Sequence, residues 1–168
     1  MALTANALPS IIPQFSLPID AALEFASAQT ISATGYINNV NAVVDLGLGR
    51  FTGMLALNIT ALDVSSGNES YGIALFGSND VNFGNGNVDL LAYHDFAAAS
   101  ANRLVATILG VSPTIPPNNF QAGSITALPF TTLMQGIIYR YAKCYAVIGG
   151  TTPSLSLSAW ISPINMVI

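Results

Sequence analysis

Apolar and polar positions alternate with a period of two over most of the chain, the pattern of strands with one covered face. Residues 51–62 put Phe51, Leu55, Leu57 and Ile59 on one side. Residues 155–161 set Leu155, Leu157, Ala159 and Ile161 against Ser154, Ser156, Ser158 and Trp160. Leu23, Phe25 and Ile31 are spaced for extended structure, and residues 36–46 are rich in Val and Ile and stop at Gly47 and Gly49. Residues 71–76 form a further strand between turns at 65–68 and 77–79. Residues 88–93 and 103–109 are short candidates, the second strand or helix, and residues 137–148 are a long apolar strand closed by Gly149 and Gly150. Residues 82–87 and 113–119 read as loops.

About eight antiparallel strands with a turn signal roughly every ten residues, and no long amphipathic helix, predict an all-β fold, a jelly-roll β-sandwich. It forms one domain over residues 21–168. Residues 1–20 follow another rule, because Pro9, Pro13 and Pro18 punctuate Leu8, Ile11, Ile12, Phe15 and Leu17. Proline at that spacing forbids a helix and a central strand. These residues are expected to be an extended arm lying along a neighbour, with Ile11, Ile12, Phe15 and Leu17 as its contacts.

Composition narrows the function. Only 7% of the 168 residues are charged and the net charge is -4, while hydrophobic residues make up 52%. Polarity comes instead from 15 Ser, 12 Thr, 14 Asn and 4 Gln. Four basic residues cannot neutralise many phosphates, so nucleic acid is not an expected partner. High hydrophobicity with low charge is the reverse of a disordered chain. The apolar run at 104–139 is interrupted by Gly110, Pro113, Pro116 and Pro117, so no membrane span is expected. No secretory leader is expected either, and the single Cys144 fits a reducing compartment. A surface poor in charge costs little to desolvate, which points to a domain that works against other protein.

Candidate chemistry is thin, and neither an enzyme nor a cofactor is expected. His94 is the one histidine and Asp95 follows it, so on a strand the two face opposite ways. No G-x-S-x-G turn aims a serine. One His and one Cys cannot supply a zinc site. Asp80, Asn82, Asn85, Asn87 and Asp89 make an oxygen-rich loop, but their spacing does not fit an EF-hand and the default is a polar inter-strand loop. Gly47-Leu48-Gly49 and Gly149-Gly150 complete no phosphate-binding motif. Tyr139, Tyr141, Lys143 and Tyr145 are spaced to share one sheet face, opposite Arg140, Ala142, Cys144 and Ala146. Such tyrosine stripes serve cores with a wet edge, or interfaces and sugar binding. Trp160 is expected to face outward or into a partner, as an interface anchor.

The order of several short stretches resembles a known family. Phe25-Ala26-Ser27-Ala28-Gln29-Thr30-Ile31-Ser32-Ala33-Thr34 is followed by Val44-Asp45-Leu46-Gly47 and Gly49-Arg50. Ala74-Leu75-Phe76-Gly77-Ser78 comes next, then Arg140-Tyr141, Tyr145, Gly149-Gly150-Thr151-Thr152-Pro153-Ser154 and Ala159-Trp160. Over roughly Leu23 to Pro163 the chain resembles the capsid cement (decoration) proteins of tailed bacteriophages, of the Bordetella-phage type. The resemblance implies a jelly roll, a homo-oligomer (dimer or trimer) and no enzymatic activity. It implies a virion protein, made in the bacterial host cytoplasm and seated on the outer surface of an icosahedral capsid. Its partner there would be the major capsid protein, bound where capsomers meet. The longer proline-rich N-terminus and the weakly charged Phe51-Thr52-Gly53 depart from the family pattern. A carbohydrate- or receptor-binding β-sandwich, using surface tyrosines with the loop at 80–89, is the alternative.

Overall fold

A computed structural model describes residues 19–97, 123 and 125–163. The arm residues Ile11, Ile12, Phe15 and Leu17, the candidate element at 103–109 and the loop at 113–119 lie outside the described residues. After a single 3-10 turn at Ala21–Leu23 come eleven strands among the described residues. They are β1 (Glu24–Ile31), β2 (Gly35–Ile37), β3 (Val44–Asp45), β4 (Thr52–Leu62), β5 (Ser70–Ser78) and β6 (Val88–Ala97). Then follow β7 (Ile125–Thr131), β8 (Leu133–Met134), β9 (Ile137–Ile138), β10 (Tyr141–Gly149) and β11 (Leu155–Pro163).

One sheet runs β1-β11-β4-β7; the other runs β2-β10-β5-β6, with β3 also beside β10. β8 and β9 form a separate hairpin. Every pairing is antiparallel. The protein is all-β, and two sheets sharing one core are compatible with a β-sandwich. That core follows the alternation read from the sequence. Leu55, Leu57, Ile59, Leu155, Leu157, Ala159 and Ile161 face Ile73, Leu75, Ala142, Cys144 and Ala146, and all are buried.

Three stretches differ from the sequence expectation. Residues 36–46 are not one strand: β2 and β3 flank a loop that side-chain amides, Asn39 in the loop and Gln29 in β1, tie to β1. Asn39 Oδ1 accepts from Ser27 N and its Nδ2 donates to Ser27 O, both at 2.9 Å. Gln29 Oε1 accepts from Asn38 N and Asn39 N. Side-chain amides thus take the place of a neighbouring strand along the free edge of β1, which blunts edge-to-edge pairing. The long strand at 137–148 is broken at Tyr139-Arg140, and β9 folds back on β8 through Gln135 and Gly136, both at positive φ (50° and 84°). Two consecutive left-handed residues are the geometry of a tight hairpin turn. Finally, β7 contains Pro129, which argues against a central strand; it sits at the edge of its sheet, where a missing N–H is tolerated.

Candidate functional site

The outer face of the sheet built on β10 gathers most of the exposed aromatic surface. Ala142, Cys144 and Ala146 point into the core, so Tyr141, Lys143, Tyr145 and Val147 point outward. Register places Tyr145 between Tyr36 of β2 and Ala74 of β5, and Lys143 beside Phe76. Tyr145 meets Tyr36 edge-on at 5.1 Å between ring centroids and Phe76 at 6.4 Å. Farther along, Tyr93 lies over Gly72, whose missing Cβ leaves the space its hydroxyl end occupies.

Tyr139, expected in the same stripe, is not part of it. The strand break turns it under the sheet, where it is buried and donates its hydroxyl to Asp89 Oδ2 at 2.7 Å. That bond to Asp89, helped by burial, pushes the Tyr139 phenol upward from its ordinary value. Arg140, left in the break, pairs with Asp45 of β3 at 2.6 Å and lies 5.0 Å from the Tyr141 ring. The guanidinium hydrogen bond holds the Asp45 carboxyl at about 2.

The loop between β5 and β6 is the second component. Asp80 Oδ1 accepts from Asn82 N at 2.9 Å, and its Oδ2 accepts from Gly84 N at 3.0 Å and Asn85 N at 2.7 Å. These N–H groups, Asn82 first, hold the Asp80 carboxyl below the usual range. With its oxygens spent on backbone donors, Asp80 organises the loop and is poorly disposed to bind a cation. The loop so fixed carries Phe83 at φ 58°, a conformation a bulky residue rarely adopts. Phe83 is thereby set 4.7 Å over the Lys143 ammonium, which also lies 5.3 Å from the Tyr36 ring and donates to Asn82 O at 3.4 Å. Cation and rings at these distances attract each other.

The result is a hollow of about 320 Å³ lined by Tyr36, Phe76, Phe83, Val88, Lys143 and Tyr145. A neighbouring hollow of about 350 Å³ includes Asn79, Asp80, Asn87 and Tyr139. Two of its polar side chains are already committed: Asn79 ties Ile138 O to Arg140 N, and Tyr139 holds Asp89. The sequence had shown the tyrosine stripe and the Asn/Asp loop as separate features. Their meeting around Lys143 depends on the pairing of β5 with β10, which no local spacing reveals.

Trp160 lies on the face opposite the core, as the alternation predicts, beside Ala56 of β4 and Glu24 of β1. It is nevertheless only 5% exposed, so it is not the outward anchor expected. Ala56 and Ala127 follow it in the same cross-strand row. Its indole Nε1 and the Oγ of fully buried Ser162 have no hydrogen-bond partner among the described residues.

The remaining candidates are structural. Cys144 is buried, and desolvation pushes its thiol up to about 12, far from reactive thiolate. His94 and Asp95 occupy consecutive positions of β6 and so face opposite ways. Among the described residues no group of three or more His, Cys, Asp or Glu could hold a metal ion. No helix among them is long and apolar enough to cross a membrane. Neither the family models nor the curated proteins compared with the chain give a match.

Proposed function

We propose that the chain is a structural, non-enzymatic protein: a jelly-roll cement protein that binds the outside of an icosahedral phage capsid and stabilises contacts between major capsid subunits. The observation that carries this reading is the strand order. β1-β11-β4-β7 against β2-β10-β5-β6 is what two interlocked Greek keys produce, with β2 and β3 sharing one position. That order agrees with the fold implied by the sequence resemblance. The scarcity of charge supports it too, since a shell-bound protein must desolvate its contacts cheaply in many symmetric copies. The contacts in this reading are the loops at the rim of the sandwich and the arm at 1–20, with Ile11, Ile12, Phe15 and Leu17 as apolar anchors in a dimer or trimer.

The test is co-sedimentation of the full chain with immature and expanded shells of the major capsid protein. Saturable, stoichiometric binding is the expected result, and absence of binding to both shells overturns the proposal. Deleting residues 1–18 should leave the β-fold intact but weaken attachment about tenfold or more. Unchanged attachment and unchanged oligomer mass would remove the arm from the contact.

The alternative, a carbohydrate-binding β-sandwich, is favoured by one feature, the aromatic hollow around Lys143.

A further inference from the structure

We infer that the hollow around Lys143 is a binding site for a sugar carboxylate, a uronic-acid-type pyranose held by its acid group on the ammonium and by its C–H face on the tyrosine rings. This deepens the carbohydrate reading and does not depend on shell binding.

Three observations converge on that ligand. The first is charge. Lys143 has no carboxylate within ion-pair distance among the described residues, whereas Arg140 is paired with Asp45. One of its N–H donors reaches Asn82 O, which leaves two for a ligand. A lone ammonium walled by rings is a poor match for a neutral guest and a good one for a single negative charge. A polyanion is disfavoured, because the whole chain carries a net charge of -4.

The second is shape. At about 320 Å³ the hollow lies at the small end of ligand pockets. It suits one ring better than an extended chain or the broad face of another protein. Tyr36 and Tyr145 meet edge-on, so a ring can lie on one while touching the rim of the other. Exposed Asn82, whose carbonyl Lys143 reaches, stands on the bordering loop with an amide able to meet a hydroxyl group.

The third is the cost of building the site. Phe83 is held at positive φ by a loop that Asp80 pins with three backbone bonds. Strain of this kind persists only where surrounding structure imposes it, and it is concentrated at ligand clamps. Here its effect is to close the side of the hollow over the ammonium.

The experiment is an amide and side-chain NMR titration of the full chain with methyl β-D-glucuronide, and in parallel with methyl β-D-glucoside. The two differ only in carboxylate against hydroxymethyl. Binding of the glucuronide with a Kd of about 1 mM, with shifts at Phe83, Lys143 and Tyr145, is expected. The glucoside should bind at least about tenfold more weakly. Lys143→Gln should erase that difference, Lys143→Arg should keep most of it, and Tyr145→Ala should weaken both sugars. Both positions are partly exposed, and an unchanged spectrum away from the hollow shows that a variant has folded. Equal affinity for the two sugars, a preference that survives Lys143→Gln, or no shifts up to about 10 mM would each overturn the inference. So would loss of shell co-sedimentation in Lys143→Gln without sugar binding, which makes the face a capsid contact and leaves the cement proposal standing. Failure of shell binding with the sugar response intact removes only the cement proposal.

Discussion

Each sheet carries one cross-strand row on its outer face that can be laid beside the other. In one sheet the row is Glu24, Trp160, Ala56 and Ala127. In the other it is Tyr36, Tyr145, Ala74 and Tyr93. Both put a large aromatic on an inner strand next to an alanine. Yet Trp160 is 5% exposed, whereas Tyr145 is half-buried and its partner Tyr36, on the edge strand β2, is 50% exposed. Period-two alternation decides which face a side chain takes; it does not decide whether that face meets water. The first row behaves as core and the second as a surface available for contact, with a cation in its midst.

The sharpest way to break this contrast is to truncate one aromatic in each row. Trp160→Ala removes a nearly fully buried indole and should cost about 3–5 kcal/mol of stability. Tyr145→Ala removes a half-buried ring whose edge contacts are worth about 0.5–1.5 kcal/mol. Urea denaturation followed by far-UV circular dichroism measures both, and suits the purpose because Trp160 is the chain's one tryptophan. A loss at Trp160 no greater than at Tyr145 would show that the two faces are energetically alike.

A smaller effect separates two buried hydroxyls. Ser162 Oγ, on the Trp160 face, has no partner among the described residues, while Thr132 Oγ1 accepts from Phe51 N at 2.8 Å. Both residues are fully buried. An unpaired buried hydroxyl has been stripped of water without compensation. Ser162→Ala is therefore expected to leave stability unchanged or raise it by up to about 1 kcal/mol. Thr132→Val should lower it by about 1–2 kcal/mol, since it strands the Phe51 amide. A marked loss in Ser162→Ala, read by the same urea melts, would mean the hydroxyl is satisfied in solution.

How far the sequence speaks follows from the same contrast. The core strands were legible because Leu55, Leu57, Ile59, Leu155, Leu157 and Ile161 carry their pattern locally. Residues 125–131 were assigned to no element, and Pro129 would have argued against a central strand; only the sheet order reveals that β7 is an edge. The break at Tyr139 was hidden in an unbroken apolar run, and with it the removal of Tyr139 from the tyrosine stripe. Of the candidate site, Lys143 and Tyr145 were visible as a stripe and Asp80 as a loop. Phe83 was not singled out: its role comes from a backbone angle imposed by Asp80, and no hydrophobic pattern encodes that. Nor could alternation foresee the burial of Trp160, since it assigns a face and not what covers that face.

The mildest perturbation is acid, and it should reach the two faces at different points. Asp80 and Asp45 both have carboxyls held below the ordinary 3.8, the first by the Asn82 and Asn85 amides and the second by Arg140. A depressed folded-state value means the charged form supports the fold above the ordinary value, and the support fades as pH falls through the folded one. For Asp45 the window runs from 3.8 down to about 2. For Asp80 it opens at the same upper edge, and Lys143 nearby acts in the same direction. Protonating Asp80 weakens the three bonds that hold Phe83 at positive φ, so the loop should relax before the sheets do. In an NMR titration downward from about pH 5, amides of Phe83, Gly84 and Asn85 are expected to shift first. The amide signals of Ala56 and Ala127 in the Trp160 row should hold steady over that range, because the strand pairing that fixes them uses no carboxylate. Simultaneous movement of both signals would mean the loop and the Trp160 face form one cooperative unit, and the distinction between a contact face and a core face would fail.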